Sequence, residues 1–111
     1  VNLRGADLSA IDLSGAILSR ADLAGANLNG AKLRGAKLSE ANFTGAILWR
    51  AELSNATLYR AILSRAMLIK ADLSGVDLSE SLLDRADLRL TNLTGANLSG
   101  ANLTGTDLRY A

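Results

Sequence analysis

Ala71–Asp72–Leu73–Ser74–Gly75 and Ala96–Asn97–Leu98–Ser99–Gly100 are two copies of one five-residue pattern that runs through the whole chain. Leu stands at every fifth position from Leu3 to Leu108, with Phe43 the one exception, so 21 of 22 consecutive pentapeptides are centred on Leu. There is no insertion or deletion. With the centre called i, position i−2 is Ala in 16 repeats and i−1 is Asp or Asn in 13. Position i+1 is Ser or Thr in 12 repeats, and i+2 holds all ten glycines.

A period of five fits neither common secondary structure. On an α-helix, at about 100° per residue, successive leucines step roughly 140° and wind around the rod. In a straight strand an odd period sends them to alternate faces. The chain must therefore turn within each pentapeptide if all the leucines are to share one interior. A quarter turn per repeat achieves this, and four repeats close a 20-residue square coil. Gly at i+2 suits the corner, where positive φ is required in several turn types. Ala at i−2 suits an inward position beside a corner, where a larger side chain would collide.

Composition agrees. Hydrophobic residues make up 49% of the 111 residues but aromatics only 4%, and 23 Leu with 19 Ala account for most of the apolar content. The length fits a single domain, residues 1–111. Its start at Val1 rather than Met, and its end inside a repeat, are expected of a segment of something longer. Absence of Pro suits a structure in which every repeat donates backbone N–H groups to a neighbour.

The consensus A-(D/N)-L-S-G resembles that of the pentapeptide-repeat family, over residues 1–110 and in a leucine-rich form typical of cyanobacterial members. The resemblance implies an all-β fold, a right-handed quadrilateral β-helix with i and i−2 inward. On that pattern the chain makes about five and a half coils of four pentapeptides, a rod roughly 26 Å long at about 4.8 Å per coil. It also implies pairing of two copies end to end at the C-terminus, near Leu90, Arg109 and Tyr110.

The coil length has a test independent of the family. Ten large apolar residues fall at outward positions: Ile17, Ile47, Trp49, Tyr59, Ile62, Met67, Ile69, Leu82, Leu90 and Tyr110. Eight form pairs 20 apart (Ile47–Met67, Trp49–Ile69, Ile62–Leu82, Leu90–Tyr110), more than at spacings of 5, 10 or 15. Charges decide less. Arg20, Glu40, Arg60 and Glu80 alternate at that spacing, but charged pairs over the whole chain are as often like as opposite.

The departure from consensus between residues 46 and 70 points to function. Gly leaves i+2, replaced by Arg50, Asn55, Arg60, Arg65 and Lys70, while apolar side chains appear outside. The expected patch comprises Ile47, Trp49, Met67 and Ile69 on one face with Ile62 and Leu82 on the preceding face. Arg50, Arg60, Arg65, Lys70 and Arg89 would rim it. Trp beside Arg is typical of protein-interface hot spots, and a local exposed apolar patch implies contact. Stacking that merely steadies adjacent coils is the alternative reading. Residues 32–70 carry a net +5 and residues 71–87 a net −4, a segregation able to steer a partner.

Catalysis is not expected. The chain has no Cys and no His, removing the thiol nucleophile and the common neutral-pH base and metal ligand. Its carboxylates recur at i−1 as part of the repeat, and no Ser or Thr has a base to activate it. No cofactor or metal is expected. Nucleic acid is a weak expectation, with cations spread over several faces and only Trp49 and Tyr59 to stack bases. No membrane span or signal sequence is present, which points to the cytoplasm. The expected function is a non-enzymatic scaffold or protein-interaction module. Two alternatives are a DNA-mimicking inhibitor of a topoisomerase such as gyrase, implied by the family but opposed by a net charge of +1, and a structural spacer.

Overall fold

A computed structural model describes residues 1–111, and one local motif repeats through all of it. The residue before each centre makes a single parallel bridge to its counterpart 20 residues later, in a series from Asn2↔Asp22 to Asp87↔Asp107. The 20-residue circuit inferred from the apolar pairs is therefore the register of the backbone. No continuous strand forms, because two of every five residues turn and one bridged residue per side remains. We number the four faces by the centres Leu3, Leu8, Leu13 and Leu18 that open them.

Most backbone polarity is satisfied by the repeat itself. Of 76 backbone hydrogen bonds, 22 close the corners, from the N–H three residues after each centre to that centre's carbonyl, as in Ala6 N–H to Leu3 O at 3.1 Å. The remainder join successive coils: Leu3 N–H to Asp22 O, Gly5 N–H to Ala24 O and Asp22 N–H to Val1 O set the pattern. All 22 residues at i+2 have positive φ, and only ten of them are Gly. Positive φ at the third turn position alone marks a type II turn, for which Gly or Asn is the usual occupant. Twelve corners instead carry other residues, among them Arg50, Arg60, Arg65 and Lys70 at φ of 55–61°.

One donor per repeat, the i+1 N–H, has no backbone partner. Where i−1 is Asp or Asn, its side chain supplies the acceptor. All thirteen do so, as in Ser74 N–H to Asp72 Oδ1 at 3.0 Å and Thr94 N–H to Asn92 Oδ1 at 3.1 Å. The consensus Asx is thus the corner's own cap. In the other nine repeats, including those with Ile47 and Met67 at i−1, the i+1 N–H is unbonded.

The interior is a stack of 27 buried residues, centres and their i−2 partners, from Ala21 to Leu88. Phe43, fully buried, replaces Leu between Leu23 and Leu63 on the first face. Ser81 and Thr91 replace inward Ala and donate their hydroxyls to the carbonyls of Leu78 and Leu88. No buried side-chain polar atom lacks a partner. The first coil and, apart from buried Thr91, the residues after Leu88 are only partly covered or exposed. The rod measures 29 × 20 × 20 Å, close to the length expected from coil spacing. No helix is long and apolar enough to cross a membrane.

Candidate functional site

Each row of the second face presents i−1 and i+1 outward and ends at the i+2 corner. The third row is Ile47, Trp49, Arg50; the fourth is Met67, Ile69, Lys70. Register stacks them directly, since Ile47 bridges Met67 and Arg50 N–H bonds to Ile69 O at 3.0 Å. Trp49 remains 43% exposed and Met67 42%, although a Leu or Phe core lies one residue away at Leu48 and Leu68. Four of the expected patch residues are thus side by side on one face.

The structure divides the rest of that expectation. Ile62 and Leu82 bridge each other on the first face and line a separate hollow with Glu40, Arg60, Glu80 and Gly100, none of which touches the Trp49 hollow. A corner carrying Ser64 and Arg65 lies between the two groups. Arg60 does not rim Trp49: its guanidinium lies 5.1 Å over the Tyr59 ring and 3.4 Å from Glu80. The alternating ladder is two pairs rather than a continuous run, Arg20–Glu40 at 3.5 Å and Arg60–Glu80.

In place of the Ile62 pair, the structure joins the patch to the C-terminal residues. Trp49, Arg50, Ile69, Lys70 and Asn29 line one hollow of about 340 Å³; Ile69, Arg89, Leu90, Arg109 and Tyr110 line a second of about 210 Å³. They share Ile69 and follow the same corner up the rod. The signal was present in the register, because 50, 70, 90 and 110 differ by 20, as do 29, 49, 69, 89 and 109. The pairs Trp49–Ile69 and Leu90–Tyr110 are two parts of that one column. Asn29, small and polar, gave no signal of its own.

Electrostatics divide the groove along its length. Arg89 and Arg109 are held by the carboxylates one row position back: Arg89 bonds Asp87 at 2.7 Å and Arg109 bonds Asp107 at 2.7 Å. The Arg89 side chain holds the Asp87 carboxyl below its ordinary value, and Arg109, through side-chain and backbone hydrogen bonds, lowers Asp107 to about 2. Arg50, Arg65, Lys70 and Arg85 make no ion pair. Arg65 and Arg85 stand at the corner where the fourth and fifth rows begin; Arg50 and Lys70 close the third and fourth. An apolar panel is therefore flanked by uncompensated cations on both sides. No group of His, Cys, Asp and Glu has metal-site geometry.

Comparison with known proteins returns the same architecture. A family model described as pentapeptide repeats matches residues 2–39, 36–75 and 71–109. The crystal structure of a pentapeptide repeat protein (Rfr23) from the cyanobacterium Cyanothece 51142 superposes with a TM-score of 0.94 at 28% identity, covering 96% of this chain and 87% of that one. QnrB1, described as a plasmid-mediated fluoroquinolone resistance protein, gives a TM-score of 0.58 at 23% identity over 95% of this chain and 58% of its own; that likeness is one of fold. No match is found among the curated proteins compared.

Proposed function

The chain belongs to the pentapeptide-repeat family, and we propose that it is a non-enzymatic module that docks a protein partner on its second face. Members of the family form right-handed quadrilateral β-helices and are in general structural or binding proteins. At four pentapeptides per circuit, the 22 repeats make about five and a half coils. The observation that carries the reading is the coincidence, on one face, of Trp49, Ile69, Ile47 and Met67 with cations that no carboxylate of the chain pairs. Apolar stacking between coils alone would explain the aliphatic pairs. It gives no reason for two cations without ion pairs, Arg50 and Lys70, to close the same two rows. A duplex-mimicking reading needs a dense anionic surface, and the unpaired cations oppose it.

The test is capture of partners by the protein and by the double variant Trp49→Ala/Ile69→Ser, with circular dichroism confirming that both are folded. Partners retained by the unaltered protein should be lost from the variant. Retention of all of them by the variant removes the second face from the account.

A further inference from the structure

The amides of Trp49 and Ile69 are the part of this face that the repeat leaves unfinished. In thirteen repeats an Asp or Asn at i−1 folds back to accept the i+1 N–H. Those side chains are outward, so the donor they satisfy also faces outward. In the third and fourth rows Ile47 and Met67 occupy that position and neither Trp49 N–H nor Ile69 N–H is bonded. In the fifth and sixth rows the same donors, on Arg89 and Arg109, are capped by Asp87 and Asp107. The free donors therefore lie on the two rows whose corners carry the unpaired Arg50 and Lys70.

We infer that the partner docks through an acidic, extended segment whose carboxylates take the place of the missing Asx side chains. This deepens the proposed docking role of the second face and rests on it. Continuous main-chain pairing with a partner strand is not available along the rod wall, because in these rows only the i+1 N–H and the i+2 carbonyl are free and the other backbone groups are spent at the corners and between coils. A carboxylate suits the site better than a neutral acceptor, since it meets two N–H donors and the Arg50 and Lys70 charges together. The groove from Asn29 to Arg109 spans four coil steps, about 19 Å at about 4.8 Å each, room for about six extended residues. Its apolar ends, Trp49 with Ile69 and Leu90 with Tyr110, are centred two steps apart. That separation, about 10 Å, matches three residues of polyproline II chain, in which residues three apart share a side. The occupant is thus an acidic segment with apolar residues three positions apart. Single-stranded nucleic acid would also meet the cations, but the groove's two stacking rings, Trp49 and Tyr110, stand three coil steps, about 14 Å, apart with aliphatic Ile69 and Leu90 between them, too far for successive bases.

Selection from a displayed library of random eight-residue segments tests this, with dT12 oligonucleotide as the competing ligand. The selected segments should be acidic with apolar residues three apart. They should bind at least about ten-fold more weakly to the folded Arg50→Glu/Lys70→Glu variant. By amide exchange resolved by NMR, binding should slow Trp49 and Ile69 N–H while leaving Ser54 N–H, also uncapped, unchanged. Selection of neutral or basic segments, unaltered affinity for the variant, absence of any selected segment, or tighter binding of dT12 overturns the inference. If partner capture still depends on Trp49 and Ile69 in those cases, the docking role of the face stands and only the acidic segment is wrong. If capture does not depend on them, the face itself is wrong.

Discussion

Replacing Arg50 and Lys70 by Gly together should leave the fold as stable or more stable while removing the charge proposed to meet the partner. Both residues sit at corners with φ of 55° and 61°. A left-handed conformation costs a non-glycine residue roughly 1–2 kcal/mol. Glycine adopts it freely, but returns roughly 0.4–1 kcal/mol through the entropy of its unfolded chain. Each substitution therefore gains about 0.5–1 kcal/mol from the backbone. Relief of two like charges stacked on adjacent coils adds to this, and neither residue forfeits an ion pair. Against it stands the packing of the two aliphatic stems beside Trp49 and Ile69, of similar size. The net for the pair is a gain of about 0–1 kcal/mol, equivalent to a rise in Tm of up to about 4 °C for a domain of this length. Thermal unfolding by far-ultraviolet circular dichroism reads it directly, and partner capture is measured on the same sample. A fall in stability of more than about 1 kcal/mol would show that these side chains hold the corner together. Arg50 and Lys70 would then be structural residues of the corner rather than residues placed for a partner.

Other substitutions separate the parts of the repeat. Leu58→Ala, at a buried centre, should cost about 2–5 kcal/mol by denaturant titration. Gly75→Ala should destabilise more than Gly35→Ala: both have positive φ, but only at Gly75 would the new Cβ collide with Asn55 Oδ1. Asn42→Ala removes the acceptor for Thr44 N–H at 3.0 Å and Thr44 Oγ1–H at 2.6 Å, and by analogy with helix caps costs about 1 kcal/mol. The acid limb of stability should include Asp107. Its carboxyl is lowered from 3.8 to about 2 in the fold, so its contribution is complete above pH 3.8 and is lost as pH falls through about 2. In an acid titration followed by circular dichroism, Asp107→Asn should flatten that part of the curve.

The interior was legible because its two requirements fall on two residue types: Leu at the centre and Ala at i−2 label the inward positions directly. Coil length was legible from apolar pairs, and the bridges Ile47↔Met67 and Ile62↔Leu82 join the residues that revealed it. Charges did not reveal it, because long exposed side chains reach several partners. Arg4, for example, bonds Asp22, 18 residues away rather than 20. The corner conformation was half legible. Glycine announced positive φ at ten corners, whereas at Arg50 or Tyr110 only register requires it. The extent of the site was the least legible part. Sequence placed Ile62 and Leu82 on the preceding face as part of one contiguous patch, but the corner at Ser64 and Arg65 separates their hollow from that of Trp49. Leu90 and Tyr110, up to 61 residues from Trp49, join it because the rod returns to the same edge every 20 residues.

Trp49 is the chain's one tryptophan and lies in the groove itself, so 5-fluorotryptophan gives a single fluorine resonance at the proposed contact. As a captured partner is titrated in, that resonance should shift or broaden in step with complex formation measured by light scattering. A complex that forms while the resonance stays where it was would place the partner elsewhere on the rod and contradict the account.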